Sequence, residues 1–305
     1  MSRIIVAVDA SEGSRDAIAL AGTLAEVTGS TLTLVNVFPY DIERSRASNR
    51  EFEDYLRQDS LTLLERLRGT LGDETVEVKA VANPSAAHGL HDVAELAGAE
   101  LIVVGSTHTG RAGRVLPGST AERLLHGAPC PVAVAPKGYA DRADTPPSII
   151  GAGYDGSASS RRALEAAARL AAATGARLRA LRVFEPLLYD LPPGNGAVGS
   201  MTSYNDSLHQ RALEELQAAV AKLDFDGSGS ELEVGNPARI LADASEGLDL
   251  LLIGSRGYGP LHAVMVGAVS GQLVREASCP VIVFPRSDGN GKDDSLFAKV
   301  TALQG

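Results

Sequence analysis

The strongest constraint on the fold of this chain is an internal repeat of about 150 residues. Residues 101–137 read LIVVGSTHTGRAGRVLPGSTAERLLHGAPCPVAVAPK, and residues 250–286 read LLLIGSRGYGPLHAVMVGAVSGQLVREASCPVIVFPR. Matched positions such as Gly105 and Gly254, or Gly118 and Gly267, are separated by a constant 149 residues. A period this long indicates a duplicated domain, because the units of solenoid proteins run to only about 20–50 residues.

Both copies alternate short apolar segments with segments of helical periodicity. The predicted strands are residues 4–8, 31–38, 75–81, 101–104 and 131–135 in the first copy, and 148–152, 176–184, 231–234, 250–253 and 281–284 in the second. This alternation predicts two tandem doubly wound (Rossmann-like) α/β domains, each a five-stranded parallel sheet flanked by helices. Strands such as 101–104 and 281–284 are apolar without alternation, which is typical of sheets covered on both faces. We assign domain one to residues 1–138, a linker to 139–147, domain two to 148–286 and a tail to 287–305.

Two local predictions concern helix starts and loops. Ser11 is the expected N-cap of the first helix, because its side chain can accept a hydrogen bond from an unpaired helical amide. Residues 186–206 are rich in Pro, Gly, Ser and Asn, which predicts a mobile loop, and the helix that follows is expected at 208–223. The corresponding loop of the first copy, 39–49, is shorter and more charged.

Composition excludes several classes of protein. The net charge of −10 argues against nucleic acid and anionic membrane as partners, because both require basic patches. No apolar run approaches the ~20 residues of a membrane span, and no signal peptide is recognised, so we expect a cytoplasmic protein. Cys130 and Cys279 occupy equivalent places in the two copies. We interpret them as small buried hydrophobic residues, with a disulfide between the repeats as the alternative.

Aspartates end the first strand of each copy, Asp9 in VAVDAS and Asp155 in GAGYDGS. In open α/β sheets, ligands bind beyond the carboxyl ends of the strands where the strand order reverses. A carboxylate at this place can accept hydrogen bonds from a ribose. It can equally well open a turn after the strand, and the sequence leaves both interpretations open.

A glycine-rich loop follows the fourth strand and leads into a helix. In the first copy its glycines are Gly105, Gly110, Gly113 and Gly118, interspersed with Arg111 and Arg114. Glycines let backbone amides converge on an anion, arginines add charge-assisted contacts, and a helix start at Ser119 and Thr120 favours negative charge. The segment 119–122 also has the pattern of a capping box, which needs no ligand. In the second copy Ala268 replaces the serine, and residues 258–266 contain no Lys or Arg, so we expect weaker binding there or a ligand with fewer phosphates. Arg256 and Ser270 are candidates to compensate in part for this loss.

The two copies resemble the universal stress protein family over nearly the whole chain. The nucleotide-binding signature of that family is Gly, two residues, Gly, nine residues, Gly, then Ser or Thr. The second copy matches it at Gly254, Gly257 and Gly267 but has Ala268 at the last position. The first copy matches at Gly105, Gly118 and Ser119 but has His108 at the second glycine.

The resemblance implies an adenine nucleotide, ATP or else AMP or ADP, with Mg²⁺ accompanying ATP. It implies that base and ribose lie against the ends of the first two strands and the phosphates against the glycine loop. The candidate binding residues are Ala7, Asp9, Val37, Val104, Gly105, His108, Arg111, Arg114, Gly118, Ser119 and Thr120 in the first copy, and Gly153, Asp155, Val183, Gly254, Gly257, Gly267, Val269 and Ser270 in the second.

Three functions remain compatible with these residues. The first, which we favour, is an ATP-binding stress-response regulator that acts as a nucleotide-dependent switch. The alternatives are a slow ATPase and an interaction protein of the same fold that binds no nucleotide. No Walker phosphate loop, zinc-protease or nucleophile-elbow motif is present, so we name no catalytic residue and no metal site. We expect the two domains to pair through their last strands, 131–135 and 281–284, as a pseudo-dimer, and we expect further association into a homodimer.

Overall fold

Ten strands form a single sheet in the computed structural model of the chain. The structure describes residues 2–41, 50–106, 115, 117–143, 145–186, 197–223, 225–255 and 268–286, with the backbone alone for 197–202 and 268. The predicted tail, residues 287–305, lies outside the described residues. No helix among the described residues is long and apolar enough to cross a membrane.

The elements alternate between strand and helix in both domains. The first domain contains β1 (Arg3–Ala7), α1 (Gly13–Thr28), β2 (Thr31–Phe38), α2 (Arg50–Leu71), β3 (Glu77–Ala82), α3 (Ala86–Ala97), β4 (Leu101–Gly105), α4 (Ser119–Gly127) and β5 (Val132–Ala135). The second contains β6 (Ile149–Gly153), α5 (Ala158–Thr174), β7 (Arg177–Phe184), α6 (Ala197–Val220), β8 (Ser228–Val234), α7 (Pro237–Ala244), β9 (Leu250–Gly254), α8 (Ala268–Glu276) and β10 (Val281–Phe284). Two 3-10 turns, Tyr139–Asp141 and Ser245–Gly247, complete the described elements.

The strand order is β3-β2-β1-β4-β5-β10-β9-β6-β7-β8. All pairs within each group of five strands are parallel, which confirms the predicted fold class. The two groups meet where β5 and β10 pair in antiparallel register, with Ala133 opposite Ile282. The predicted pairing of the two last strands is therefore confirmed. Neither strand is left as an open apolar edge, because each covers the backbone groups of the other.

Helices cover both faces of the sheet and bury its strands. One face packs against α1, α2, α5 and α6, with Leu20 and Leu164 in that core. The other face packs against α3, α4, α7 and α8, with Leu90 and Leu241 in that core. All four residues of β5 and all four of β10 are buried, which explains why these strands are apolar without alternation.

The chain that leaves each last strand is tied to the first helix of its own domain. After β5, the carboxylate of Asp16 in α1 accepts hydrogen bonds from the backbone amides of Gly138 and Ala140, both at 2.9 Å. After β10, the guanidinium of Arg162 in α5 donates to the backbone carbonyl of Pro285. Asp16 and Arg162 occupy equivalent places in the repeat, so the same connection is made with opposite charges.

Two predictions about helix starts are wrong. The N-cap of α1 is Glu12 rather than Ser11. Helix α6 begins at Ala197, eleven residues before the predicted start and inside the segment expected to be a loop. Of the described side chains of α6, only Ala212 and Leu216 are buried hydrophobic residues. A helix that buries so little produces a weak periodic signal, which is why the composition of its first turns pointed to a loop.

Both cysteines are free and buried, so their interpretation as buried hydrophobic residues is confirmed and the disulfide between repeats is wrong. Burial raises the pKa of the Cys130 thiol to about 12, with a smaller contribution from Glu100. Burial likewise raises the pKa of the Cys279 thiol to about 12. At neutral pH both side chains are therefore protonated.

Candidate functional site

A cavity of about 370 Å³ opens at the carboxyl ends of the strands of the first domain. It lies at the point where the strand order reverses between β1 and β4, which is where open α/β sheets bind ligands. Eight of the predicted first-domain residues line it: Ala7, Asp9, Val37, Val104, Gly105, Gly118, Ser119 and Thr120. Three others, His108, Arg111 and Arg114, lie outside the described residues.

Asp9 forms the turn that follows β1. Its Oδ1 accepts a hydrogen bond from the backbone amide of Ser11 at 2.8 Å and lies 3.0 Å from the hydroxyl of Ser14. The backbone amide of Asp9 in turn donates to that hydroxyl at 2.8 Å. The turn role of this aspartate is therefore realised through Oδ1, and the residue also lines the cavity.

Gly105 is required by a close approach between two elements. A Cβ on this residue would lie 2.5 Å from the carbonyl carbon of Gly13 and closer still to its oxygen. In the second domain, a Cβ on Gly254 would lie 2.6 Å from the backbone nitrogen of Ser160. Both glycines let the start of the first helix pack against the end of the fourth strand. The sequence interpretation assigned them only to anion binding.

The start of α4 lacks the predicted capping box. Its N-cap is Gly118, with extended backbone (φ −76°, ψ 172°) and no side-chain hydrogen bond, so Ser119 lies one position too far along the helix to cap it. The carboxylate of Glu122 pairs instead with Arg275 of the second domain at 2.9 Å. The first residues of α4, from Ser119 to Ala121, therefore line the cavity without a side-chain cap on the helix.

Asn36 and Val115 are parts of this region that sequence reasoning missed. Asn36 lines the cavity, donates through Nδ2 to the carbonyl of Val8 at 2.7 Å and accepts at Oδ1 from the hydroxyl of Ser60 at 2.7 Å. The available signal was an amide side chain near the carboxyl end of β2, the edge of the sheet where ligands bind. Val115, in the glycine-rich loop, is fully buried, and its amide donates to the carbonyl of Ala277 in the second domain at 2.9 Å. No sequence signal indicated that contact.

A second cavity, of about 330 Å³, occupies the equivalent place in the second domain. Of the predicted residues, Gly153, Asp155, Val183, Gly254, Val269 and Ser270 line it, whereas Gly257 and Gly267 lie outside the described residues. Asp155 repeats the turn of Asp9, because its Oδ1 accepts from the amide of Ser157 at 2.9 Å.

The two cavities differ in polar lining. The second cavity is lined by Glu185 as well as Asp155, whereas the described lining of the first contains a single carboxylate, Asp9. At the helix start, Val269 stands where the first domain has Thr120. Arg182, the counterpart of Asn36, places its guanidinium 5.8 Å from the centre of the Tyr154 ring and 2.8 Å from Glu215. Arg182 is not among the residues of this lining, so the described lining of the second cavity is more acidic and has fewer hydroxyl groups than that of the first.

The described lining of neither cavity contains the side chains of a protein metal centre. Within the described ranges, no group of three or more His, Cys, Asp or Glu side chains is placed to hold a metal ion. His88 and His91 lie on α3, where the imidazole of His91 is 3.6 Å from Asp92.

Comparisons with known proteins agree with this architecture. The model of the Universal stress protein family matches residues 1–136 and 148–285. A universal stress protein of Mycobacterium tuberculosis (strain H37Rv) is 33% identical over 211 residues, which cover 67% of this chain and 70% of the relative. One of Mycolicibacterium smegmatis is 28% identical over 291 residues, covering 92% and 96%.

The solved structures provide a comparison of the fold. The crystal structure of a universal stress protein from Archaeoglobus fulgidus aligns with a TM-score of 0.66 at 18% identity, covering 93% of this chain and 98% of that one. At this level of identity the likeness concerns the fold alone, and it extends over both domains.

Proposed function

Since the chain belongs to the universal stress protein family, we propose that it is a stress-response regulator whose first domain binds ATP and whose state depends on the bound nucleotide. Magnesium accompanies ATP in this proposal, held by the phosphates together with water. AMP and ADP are the alternative ligands of the same cavity.

The observation that carries the proposal is the uncapped start of α4 in the first cavity. The first amides of a helix have no partners within it, and the helix dipole favours an anion there. Gly118 provides no side chain to accept from these amides, and Glu122, which a capping box would turn toward them, pairs with Arg275. A phosphate group supplies the missing acceptors, and the hydroxyls of Ser119 and Thr120 add donors beside it.

The remainder of the cavity suits a base and a ribose. Ala7, Val37 and Leu90 provide an apolar surface at the ends of β1 and β2 and on α3. In our proposal a ribose hydroxyl donates to the carboxylate of Asp9 at the oxygen that is not engaged in the turn. The cavity then holds the whole nucleotide between β2 and the start of α4.

We favour a switch over a catalyst because the described lining of the first cavity offers no general base other than Asp9. Hydrolysis requires a positioned water and usually a base close to the γ-phosphate. Asp9 follows β1 and is engaged in a turn, whereas the phosphates belong at α4. A switch needs only two states that differ in affinity for the ligand.

The test is calorimetry of the full chain with ATP and Mg²⁺, together with mass spectrometry of small molecules released on denaturation. We expect saturable binding, and we expect it to disappear in Gly118→Val, where a branched side chain obstructs the approach to α4. The matched control is Gly127→Val at the other end of α4, where a Cβ would meet open space. Bound nucleotide should also slow hydrogen exchange at residues 119–121.

The two alternative functions predict different results. Absence of heat at millimolar nucleotide, with no nucleotide released from the native protein, would favour an interaction protein of the same fold. Sustained hydrolysis at about 1 per second or more that is lost in His108→Ala would make the chain an ATPase. A homodimer and a cytoplasmic location complete the proposal; the free buried cysteines are compatible with a reducing compartment.

A further inference from the structure

We propose that the second cavity takes an uncharged ligand of the nucleoside class, so that the two domains of one chain bind different forms of related molecules. This inference rests on the proposed function, because it takes the base and ribose positions of the second cavity to be equivalent to those of the first. The two cavities differ in the chemical group that they accept at the start of the helix that follows the glycine-rich loop, α4 in the first domain and α8 in the second.

Side-chain hydroxyl groups that favour a phosphate are fewer at that start. Alanine and valine occupy positions 268 and 269, where the first domain has Ser119 and Thr120. Val269 lines the second cavity, so an apolar side chain faces the place where the first cavity presents a hydroxyl. Ser270 also lines this start, where the first domain has Ala121, so a phosphate would meet one side-chain hydroxyl instead of two and an apolar side chain beside it, which is less favourable. An uncharged ligand carries no such penalty.

A second carboxylate is gained at the opposite end. Glu185 follows β7 and lines the cavity, and the equivalent residue of the first copy is Pro39. Because β9, β6 and β7 are neighbours in the sheet, Glu185 lies two strands from the end of β9, or roughly 10 Å at the usual strand spacing. An ionised carboxylate accepts hydrogen bonds and donates none. The ligand must therefore present donors, such as an amino group or hydroxyls, to Glu185 and Asp155.

The surface for a ring is retained. Leu181, Val183, Leu241 and Ile253 line the second cavity, as Val35, Val37, Leu90 and Val104 line the first. A flat ligand with an apolar face and polar edges fits such a lining. Together, the apolar wall, the two carboxylates and the smaller number of hydroxyls favour a nucleoside over a nucleotide, since each added phosphate brings negative charge into a cavity that already holds two carboxylates.

The experiment measures binding of adenosine, AMP and ATP to the full-length chain by calorimetry. Gly118→Val first removes the first-cavity signal, and the remaining signal should rank adenosine above AMP above ATP, with at least about a tenfold difference between the ends of the series. A triple variant that removes the carboxylate (Glu185→Gln) and restores the two hydroxyls of the first copy (Ala268→Ser, Val269→Thr) should reverse the order. Glu185→Gln alone should reduce the difference in affinity between adenosine and ATP. The matched control is Glu233→Gln, at an exposed carboxylate on β8 outside the cavity lining, which should leave that difference unchanged.

Three outcomes would overturn the inference. The first is that the Gly118→Val chain binds ATP more tightly than adenosine. The second is that the Gly118→Val chain binds none of the three compounds. The third is that a preference for ATP over adenosine disappears in Arg256→Gln, which would make that arginine a phosphate ligand. The proposed function fails separately: if wild type binds adenosine but not ATP and Gly118→Val changes nothing, the second-cavity inference stands while ATP binding by the first domain is refuted.

Discussion

The carboxylate of Glu122 lies 2.9 Å from the guanidinium of Arg275, and this ion pair joins a helix of the first domain to a helix of the second. Glu122 lies in the first turn of α4, immediately after the residues that line the first cavity, and Arg275 lies in the last turn of α8. The contact is continued by the bond from the amide of Val115 to the carbonyl of Ala277. The helix that forms one wall of the first cavity is therefore held by the second domain.

Replacing Arg275 by Gln should lower stability only slightly. The two side chains are 59% and 42% exposed, so solvent screens the pair and its contribution is about 0.2–1 kcal/mol. Urea unfolding at low salt should show this loss, and high salt should reduce it. A double-mutant cycle with Glu122→Gln isolates the pair. A loss that is the same at low and high salt would mean that Arg275 acts through packing instead.

Replacing Gly105 by Ala should be severely destabilising. The added Cβ would meet the backbone of Gly13, which belongs to a helix packed on the sheet and cannot move away independently. We expect a loss of about 3 kcal/mol or more, the upper range for overpacking. Gly22→Ala is the matched control: its Cβ meets nothing within 4 Å, and a helical alanine should stabilise by roughly 1 kcal/mol. Equal stabilities of the two variants in thermal unfolding would contradict the close approach.

Replacing Asp16 by Asn should loosen the start of the linker. Asp16 is buried and accepts from two backbone amides, one at each carboxylate oxygen, whereas an asparagine has only one acceptor oxygen. Hydrogen bonds to a charged group contribute about 1.5–3 kcal/mol, so a loss of that size is expected in chemical unfolding. Asp141→Asn, at an exposed carboxylate 3.9 Å from Arg15, should have little effect. If Asp16→Asn lowers the free energy of unfolding as little as Asp141→Asn does, the connection between α1 and the linker contributes no stability.

The two buried thiols should react only when the chain unfolds. Their pKa values of about 12, raised by burial from an ordinary 9.0, keep them protonated and inaccessible at neutral pH. A thiol reagent at pH 8 should therefore label both cysteines in denaturant and neither without it. Rapid labelling of the native protein would refute their burial.

The same shift predicts how stability depends on pH. Because folding raises the pKa of each thiol, burial of the protonated thiols stabilises the folded state fully below pH 9, and this contribution is lost as the pH rises toward about 12. In that interval the free energy of unfolding should fall by about 1.4 kcal/mol per pH unit for each thiol. The measurement is the difference between wild type and a Cys130→Ala, Cys279→Ala double variant, which removes the contribution of other titrating groups. A difference that does not vary with pH would contradict the shift.

Much of the fold and part of the candidate site follow from short-range patterns. The bounds of β2 and β10 were predicted to the residue, because a Pro after Phe38 and a Pro before Val281 mark them. The start of α6 was not predicted, because few of its side chains pack against the sheet. The cap of α4 was misassigned by one residue, since Gly118 and Ser119 both suit an N-cap and only the backbone conformation distinguishes them.

The sequence by itself determined the duplication, the parallel α/β domains, the pairing of the last strands and the position of the two cavities at the carboxyl ends of the strands. These properties depend on periodicity and on where each strand ends, which are local. Only the tertiary structure decided that Gly105 is a packing glycine, that Glu122 reaches across the domain boundary and that Glu185 gives the second cavity a second carboxylate. Each of these depends on atoms that are far apart in the chain and meet only when the sheet has formed.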